Sequence, residues 1–398
     1  MAVRRRAFIT GVGVVSPAGG SAALHVTGLL RGTAPAEPLA GEGFEAVSRP
    51  IGYRVRGDDG PGRPGEARHV ALAARAVAEA IGQAGLSVGE LARTDLVVAT
   101  AIGGLAEVEE GFRRGDRPAA GDLGFDLLTR HVRAVWGIGG RPLTLSTGCT
   151  ASMDALGAAV DSVTAGRSRR ALVVAADAPL TPVVVAGFRS AGALSAREVP
   201  ATGASCPFSR HRDGFVLGEG AAALVVEDEG TAAAAGRPGL MEVCGWGSVS
   251  SAFHMTALRT TGQDITRAIL QALADAGLSP ELIDCVDAHG TSTPFNDAAE
   301  AAAFQEVFGP RAHRIPVVAQ KGVTGHALGA ANLLEVVGAV GYTRLGLLPP
   351  TANTVKETLD VPLDLVLETP RPHSPQYVLK TSSGFSGLHS ACVLRVLP

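Results

Sequence analysis

The 398-residue sequence is almost without lysine: Lys321, Lys356 and Lys380 are the only three, and the remaining strong bases are all arginine. The bias fits a GC-rich genome. A lysine retained in such a chain points to a place where a compact ammonium does what a planar guanidinium does not. Paired cysteines are also missing. Cys149, Cys206, Cys244, Cys285 and Cys392 are scattered with no CxxC spacing, which argues against a zinc site or a disulfide framework and for a reducing compartment. No apolar run reaches the roughly 18 residues of a membrane span. A net charge of -3 gives no surplus of positive charge for nucleic acid. These absences predict a cytoplasmic protein with no membrane, nucleic-acid or metal partner.

What is present is a large apolar fraction, 46% against 18% charged, enough for two packed halves. The start, MAVRRR before AFITGVGVVSPAGG, has the basic and apolar regions of a signal peptide. However, Phe8, Ile9 and Thr10 are cut short by Gly11, Gly13 and Pro17, which favours a first strand and a glycine turn.

An internal repeat organises the rest. Residues 67–87 read as an amphipathic helix, followed by a buried strand at Asp95–Ala99. Residues 267–279 read as a second such helix, followed by a strand at 284–288. RAVAEAIGQAGLS and RAILQALADAGLS, aligned from Arg75 and Arg267, agree at seven of thirteen positions. Further strands are expected at 171–175 and 377–380. GEGAAALVVE (218–227) and GLHSACVLRV (387–396) are expected to close the two halves as hairpin strands. Continuous apolar strands alternating with helices predict sheets covered on both faces. The expected halves are 1–231 and 240–398, joined by an Ala/Gly/Pro linker near 231–239. Residues 32–64, 115–121 and 201–213 read as loops, the last bordering a site.

The stretch around which the chemistry gathers is LTLSTGCTASMDALG, Leu143 to Gly157. A short strand is broken at Gly148, Cys149 follows, and a helix begins behind it with Thr150 and Ser152 as candidate caps. A cysteine at a helix N-terminus is expected to have its thiolate favoured, with backbone N–H groups near any carbonyl that it attacks. This stretch alone fits a buried structural cysteine equally well.

Three polar clusters lie in the second half. DAHGTSTPFNDAAE (287–300) carries His289, Thr291, Thr293, Asp297 and Glu300. AQKGVTGHALGAANLLEVV (319–337) carries Lys321, His326 and Glu335. SSGFSGLHS (382–390) carries Gly384, Phe385 and Ser386 on a glycine turn between strands. A lone histidine is usually a satisfied core or surface group, and two acids at a helix start usually match its dipole. A cysteine on a helix start together with two loop histidines forms a nucleophile-and-donor set.

These motifs resemble those of the β-ketoacyl synthases of the thiolase superfamily. TGCTAS resembles the nucleophile turn, DAHGTSTPFND the first histidine motif, KGVTGHALGAA the Lys–His motif and GFSG the glycine turn; DGFVLGEGAA (213–222) is also family-like. STGCT, DAPLTPVVVAGF (177–188) and AFHMTAL (252–258) are most similar to ketosynthase-α subunits of bacterial type II polyketide systems. The resemblance implies an α/β thiolase fold of five layers (αβαβα) with two duplicated halves. It implies an acyltransferase that takes an acyl group onto Cys149 and condenses it with a malonyl unit by decarboxylative Claisen chemistry. It implies the amides of Cys149 and Phe385 as an oxyanion hole, and His289 and His326 as donors to the malonyl thioester. Lys321 and Glu335 would then fix the His326 loop, Phe385 would gate the site, and Asp297 and Glu300 would support it. Thr291 and Thr293 would bind the phosphopantetheine arm, with Gly384 and Ser386 also against substrate.

No cofactor is expected on the chain itself; the phosphopantetheine belongs to an acyl carrier protein partner. The second partner is either a chain-length-factor-type subunit in a heterodimer or a second copy in a homodimer. Two alternatives stand beside this reading: a fatty-acid elongating homodimer, and a non-catalytic chain-length-factor or scaffold subunit. Departures from the family pattern fall at Ser386 in GFSG, Ser209 in PFS, and Gln320 and Gly322 around Lys321. The segments 20–66 and 105–140, the latter with Leu127, Leu128, His131 and Trp136, are short for the family. Arg63, Arg68, Arg113 and Arg114 are candidates for carrier docking.

Overall fold

The computed structural model describes residues 5–56, 67–115 and 124–397. The first half supplies strands β1 (Ala7–Val15), β2 (Asp95–Ala99), β3 (Pro142–Leu145), β4 (Arg170–Asp177) and β5 (Gly220–Asp228). The second supplies β6 (Met241–Ser250), β7 (Cys285–Asp287), β8 (Pro316–Val318), β9 (Asp364–Leu365), β10 (Tyr377–Ser383) and β11 (Leu388–Val396). Their order in space is β9-β8-β7-β10-β11-β6-β1-β5-β4-β2-β3.

The duplication is visible in that order. Read outward from the centre, β1-β5-β4-β2-β3 mirrors β6-β11-β10-β7-β8. The directions mirror as well: β2 is parallel to β3 and β4, while β5 is antiparallel to β4 and β1. Likewise β7 is parallel to β8 and β10, while β11 is antiparallel to β10 and β6. The half-sheets are stitched together where Ala7, Phe8 and Ile9 of β1 pair with Val243, Glu242 and Met241 of β6.

Five helices set the layers: α1 (Arg68–Ala84), α2 (Ala151–Thr164), α3 (Gln263–Ala276), α4 (Pro294–Phe308) and α5 (Ala331–Arg344). The repeated AGLS that ends α1 and α3 has a physical reason. Gly85 and Gly277 adopt φ of 62° and 66°, and Leu86 and Leu278 donate back to the carbonyls of Ile81 and Leu273. Glycine enters the left-handed region at little cost, so each copy closes its helix with the same cap. Both helices bury one face, α1 against β1, β5 and β4 and α3 against β6, β11 and β10. The central helices differ. Eleven of fourteen residues of α2 and twelve of fourteen of α5 are buried, so neither has a solvent face. Each touches strands of both half-sheets, and they touch each other. The layers are therefore helix, sheet, α2 with α5, sheet, helix.

The structure corrects four sequence expectations. Residues 220–227 do lie on β5, antiparallel to β4, but residues 178–219 intervene, so the pair is no hairpin. The 231–239 linker opens within a short helix, Glu229–Ala234, capped by the Asp228 side chain. Thr150 occupies the N-terminal position of α2 without capping it; its hydroxyl donates instead to Asp154 at 2.9 Å. Ser152 lies inside the helix and accepts from the Leu333 amide of α5 at 3.3 Å. Of the loop readings, 201–213 lies in the described chain; 32–64 is described to residue 56 and holds two short strands, Glu37–Pro38 and Ile51–Tyr53; its remainder, with Arg63, and residues 116–121 of the 115–121 loop lie outside the described residues.

Candidate active site

β3 ends in Leu145, and the chain turns through a single 3-10 turn, Gly148–Thr150, into α2. Gly148 takes φ of 64°, the step that brings Cys149 onto the helix start. The turn is held from below by one carboxylate. Asp154 accepts from Thr147 at 2.6 Å, Thr150 at 2.9 Å and, across the halves, Ser390 of β11 at 2.5 Å. The Cys149 carbonyl is held by Asn332 of α5 at 2.8 Å.

Cys149 shares a small cavity of about 30 Å³ with Phe188, Phe215, Leu258, His289, Thr291, Thr293, Asn296, His326, Ser383, Gly384 and Phe385. The sequence reading brought Cys149, the two histidines, the two threonines, Gly384 and Phe385 to one place, and the fold gathers all of them. The side chain of Ser386 lies outside the described residues. Gly384 belongs against the nucleophile: a Cβ there would stand 3.5 Å from the Cys149 amide nitrogen and 3.6 Å from its Cβ.

The ionisation of Cys149 differs from the expectation. Burial pushes its thiol up to about 11, outweighing the pull of the Lys321 cation and of the Phe385 and Cys149 amides toward the thiolate. Cys149 therefore rests as a thiol at neutral pH. Iodoacetamide should alkylate Cys149 at a rate that keeps climbing above pH ~9 toward about 11. A plateau near neutral pH would show a stabilised thiolate instead.

His289 follows β7 and is buried. Its amide and that of Gly290 each donate to Glu300 of α4 at 2.7 Å. Glu300 also accepts from Thr381 at 2.6 Å and Asn296 at 2.9 Å, which fixes the backbone that carries the ring. The ring is set from the other side by Lys321, whose Nζ lies 3.0 Å from His289 Nδ1, 2.7 Å from its carbonyl and 2.6 Å from Glu335 Oε1. An ammonium only donates, so Nδ1 accepts and the proton of neutral His289 sits on Nε2. The pair thus grips the His289 ring, a contact beyond the expected one of fixing the His326 loop. The Lys321 carbonyl also accepts from the Gly325 amide at 3.1 Å and so shapes the His326 loop.

His326 meets His289 edge to face, with centroids 5.3 Å apart, and its Nδ1 has no partner among the described residues. Burial and then Lys321 hold both imidazoles well below the usual histidine range. They are neutral at neutral pH, and no protonation is needed for them to donate. A continuous line of rings joins them to the glycine turn: His326 to Phe215 (5.1 Å), Phe215 to Phe188 (5.5 Å) and Phe188 to Phe385 (6.3 Å).

The remaining residues divide. Thr291 and Thr293 share a hydrogen bond of 2.8 Å, and Thr293 also caps α4. Asp297 does not reach His289. It accepts the Phe208 amide at 2.7 Å, and so ties the 201–213 loop to α4. Ser209, in that loop, is buried and accepts the His211 amide. Arg68 pairs with Glu219, and Arg113 and Arg114 share Glu110 on the surface. Sequence reasoning missed Asn332, Phe188, Phe215, Asn296 and Thr381. Asn332 had a usable signal, a polar residue one turn from Glu335 in the otherwise apolar stretch 331–340. Among the described residues no cluster of histidine, cysteine, aspartate or glutamate is arranged to hold a metal, and no helix is long and apolar enough to cross a membrane.

A cysteine at the start of a central helix, facing two imidazoles across a duplicated αβαβα fold, defines a condensing enzyme of the thiolase fold. Comparison with known proteins narrows the class. Residues 67–232 match the β-ketoacyl synthase N-terminal domain and residues 240–355 its C-terminal domain. The tetracenomycin polyketide synthase ketoacyl synthase alpha subunit of Streptomyces glaucescens is 34% identical over 416 residues, covering 98% of this chain and 97% of that one. The 3-oxoacyl-(acyl-carrier-protein) synthase 2 of Coxiella burnetii is 31% identical and covers 98% of each. A chain of the AntDE:AntF structure, a type II PKS acyl-carrier protein in complex with its ketosynthase bound to the hexaketide, superposes with a TM-score of 0.91 at 32% identity, covering 99% of this chain and all of its own. The ishigamide ketosynthase/chain length factor gives 0.86 at 31% identity, with full coverage of both chains. The chain belongs to the β-ketoacyl synthase family.

Proposed function

We propose that the chain is the catalytic ketosynthase of a type II polyketide system, elongating an acyl chain with malonyl units presented by an acyl carrier protein. The observation that carries this reading is the placement of a half-buried cysteine thiol between two backbone amides and opposite two neutral imidazoles, one locked as an Nε2–H donor.

The chemistry runs in two halves. In the first, the Cys149 sulfur adds to the carrier-bound acyl thioester. The developing oxyanion is met by the amides of Cys149 and Phe385. The phosphopantetheine sulfur then leaves, taking the proton that Cys149 gives up. In the second, a malonyl thioester enters beside Thr291 and Thr293, and its carbonyl oxygen accepts from His289 and His326. The bond to the carboxylate breaks, CO2 departs, and its electron pair becomes the enolate that the imidazoles hold. The enolate carbon attacks the acyl carbonyl, a C–C bond forms, the C–S bond breaks, and the expelled Cys149 thiolate takes a proton from solvent to restore the thiol.

The partners follow the same reading. Strand β3 is the outer edge of the sheet and is partly open to solvent. Such an edge invites a second chain, and the helix Leu127–Trp136 beside it exposes Val135. We assign this edge to a chain-length-factor-type partner. The similarity to the Coxiella burnetii enzyme supports a second reading, a fatty-acid elongating homodimer. The retained Cys149 argues against a non-catalytic subunit.

The test is incubation of the chain, alone and with its neighbouring subunit, with an acyl-carrier thioester and then malonyl-carrier thioester. The expected result is an acyl adduct on Cys149 that disappears on addition of the malonyl-carrier thioester, with release of CO2 and a carrier-bound β-ketoacyl chain two carbons longer. No adduct under either condition overturns the proposal. A narrower prediction concerns the gate. Phe385→Ala should slow condensation by about tenfold or more while leaving carrier affinity within about twofold. An unchanged rate of product formation would remove the gating role.

A further inference from the structure

Two of the three lysines of this chain converge on one carboxylate. Lys321 takes Glu335 Oε1 at 2.6 Å, and Lys380 of β10 takes Glu335 Oε2 at 2.8 Å. Lys380 has no exposure at all. Its Nζ also lies 2.8 Å from the Thr381 carbonyl, 3.4 Å from the carbonyls of both Asp287 and Ala288, and 3.8 Å from Asp287 Oδ1. Asp287 and Ala288 are the two residues immediately before His289. The other oxygen of Asp287 accepts from Gln320 at 2.6 Å and Tyr342 at 3.1 Å, and Gln320 immediately precedes Lys321. Gln320 is one of the positions where the chain departs from the family pattern. Asp287, Gln320 and Lys380 thus link the three elements that deliver His289, Lys321 and Glu335.

We propose that Lys380, paired with Asp287, is a positioning residue for the decarboxylation half-reaction: by holding Glu335 Oε2 it directs Oε1 to Lys321, and so keeps the Lys321 ammonium on His289 Nδ1. The inference rests on the ketosynthase reading above. Without the Lys380 ammonium, Glu335 can swing both oxygens onto Lys321 and draw Nζ away from the ring. His289 then has no fixed tautomer, and the Nε2–H that donates to the malonyl carbonyl is no longer guaranteed. A buried ammonium that served folding alone would be replaceable, together with its counter-ion, by neutral groups of similar shape at little cost. A positioning ammonium would not be replaceable in that way.

The charged and titratable groups facing His289 are Lys321, Lys380, His326 and His389, with Glu300 on its backbone amide. Lys380 is one of the cations that oppose protonation of both His289 and His326. Its removal makes each imidazolium less unfavourable, so the acid limb of decarboxylation moves to higher pH.

The experiment compares the full-length wild-type protein, with its partner subunit where loading needs it, with Lys380→Met and the double variant Lys380→Met/Asp287→Asn. The double variant removes both buried charges and preserves folding should the single change strand Asp287. Acyl adduct on Cys149 and CO2 release from a malonyl-carrier thioester are measured separately. The expected result is unchanged loading, decarboxylation slowed by about tenfold or more, the size seen for outer-shell partners of functional imidazoles, and an acid limb displaced upward. A double variant that decarboxylates at the wild-type rate with the wild-type pH profile overturns the proposal and leaves Lys380 a structural ion pair. The 15N imidazole resonances of the wild-type protein give a check that needs no variant: His289 must be neutral and Nε2-protonated, and an Nδ1–H or charged ring overturns the proposal. Absence of both loading and decarboxylation in the wild type would instead reject the ketosynthase reading; the tautomer measurement would still decide the geometry.

Discussion

A Cys149→Ala variant incubated with an acyl-carrier thioester keeps its unmodified mass, while the wild type gains the acyl group. Condensation falls to background because there is no other sulfur in the cavity: Cys206, Cys285 and Cys392 are buried elsewhere, and Cys244 lies on β6, outside the residues that line the site. A second outcome separates the two half-reactions. The substitution leaves His289, His326, Lys321 and Glu335 untouched, so malonyl-carrier thioester is still decarboxylated, now without condensing. The measurement is intact-protein mass with peptide mapping, beside CO2 release. An adduct that persists in the variant would place the nucleophile elsewhere.

His289→Ala gives the complementary result. Loading of Cys149 is retained, because the amides proposed to meet the first oxyanion belong to Cys149 and Phe385. Decarboxylation falls by about 10²- to 10³-fold, the usual cost of removing one preorganised donor to a developing oxyanion. The substitution also leaves the buried Lys321 ammonium without the nitrogen that it faces at 3.0 Å, so some stability is lost as well. Comparing loading with decarboxylation removes that ambiguity, since a generally damaged protein would lose both. Equal loss of the two rates would show that His289 supports the fold rather than the enolate.

Much of this was legible in the sequence. The AGLS repeat gave the duplication away because it encodes a helix cap, a local device with a fixed glycine requirement. The cysteine turn, the two histidine loops and the glycine turn were legible for a similar reason: each is a short segment whose residue types are dictated by backbone geometry or by chemistry. The partners of those residues were not legible. That Lys321 grips His289, 32 positions away, depends on how β7, β8 and α5 come together, and the expected role at the His326 loop did not include that contact. Asp297 and Glu300 share a helix face, yet only Glu300 reaches the His289 backbone. The ionisation of Cys149 was misread because a helix N-terminus is visible in sequence and the depth of burial is not.

The stitching of β1 to β6, with α2 and α5 enclosed between the half-sheets, has a consequence for how the chain acquires its structure. A polypeptide emerging as far as β5 holds α2 with one wall in place and the other unmade. Val160, Val163, Met153 and Leu156, all wholly enclosed in the finished molecule, meet water until β6 and β11 arrive. The contacts that close the molecule join residues more than two hundred positions apart, such as Ala7 with Val243 and Asp154 with Ser390. Long-range closure of this kind is slow and leaves greasy surface uncovered while it waits. Severed between β5 and β6, the two fragments would each be insoluble alone and would regain a nucleophile and its donors only by being made together.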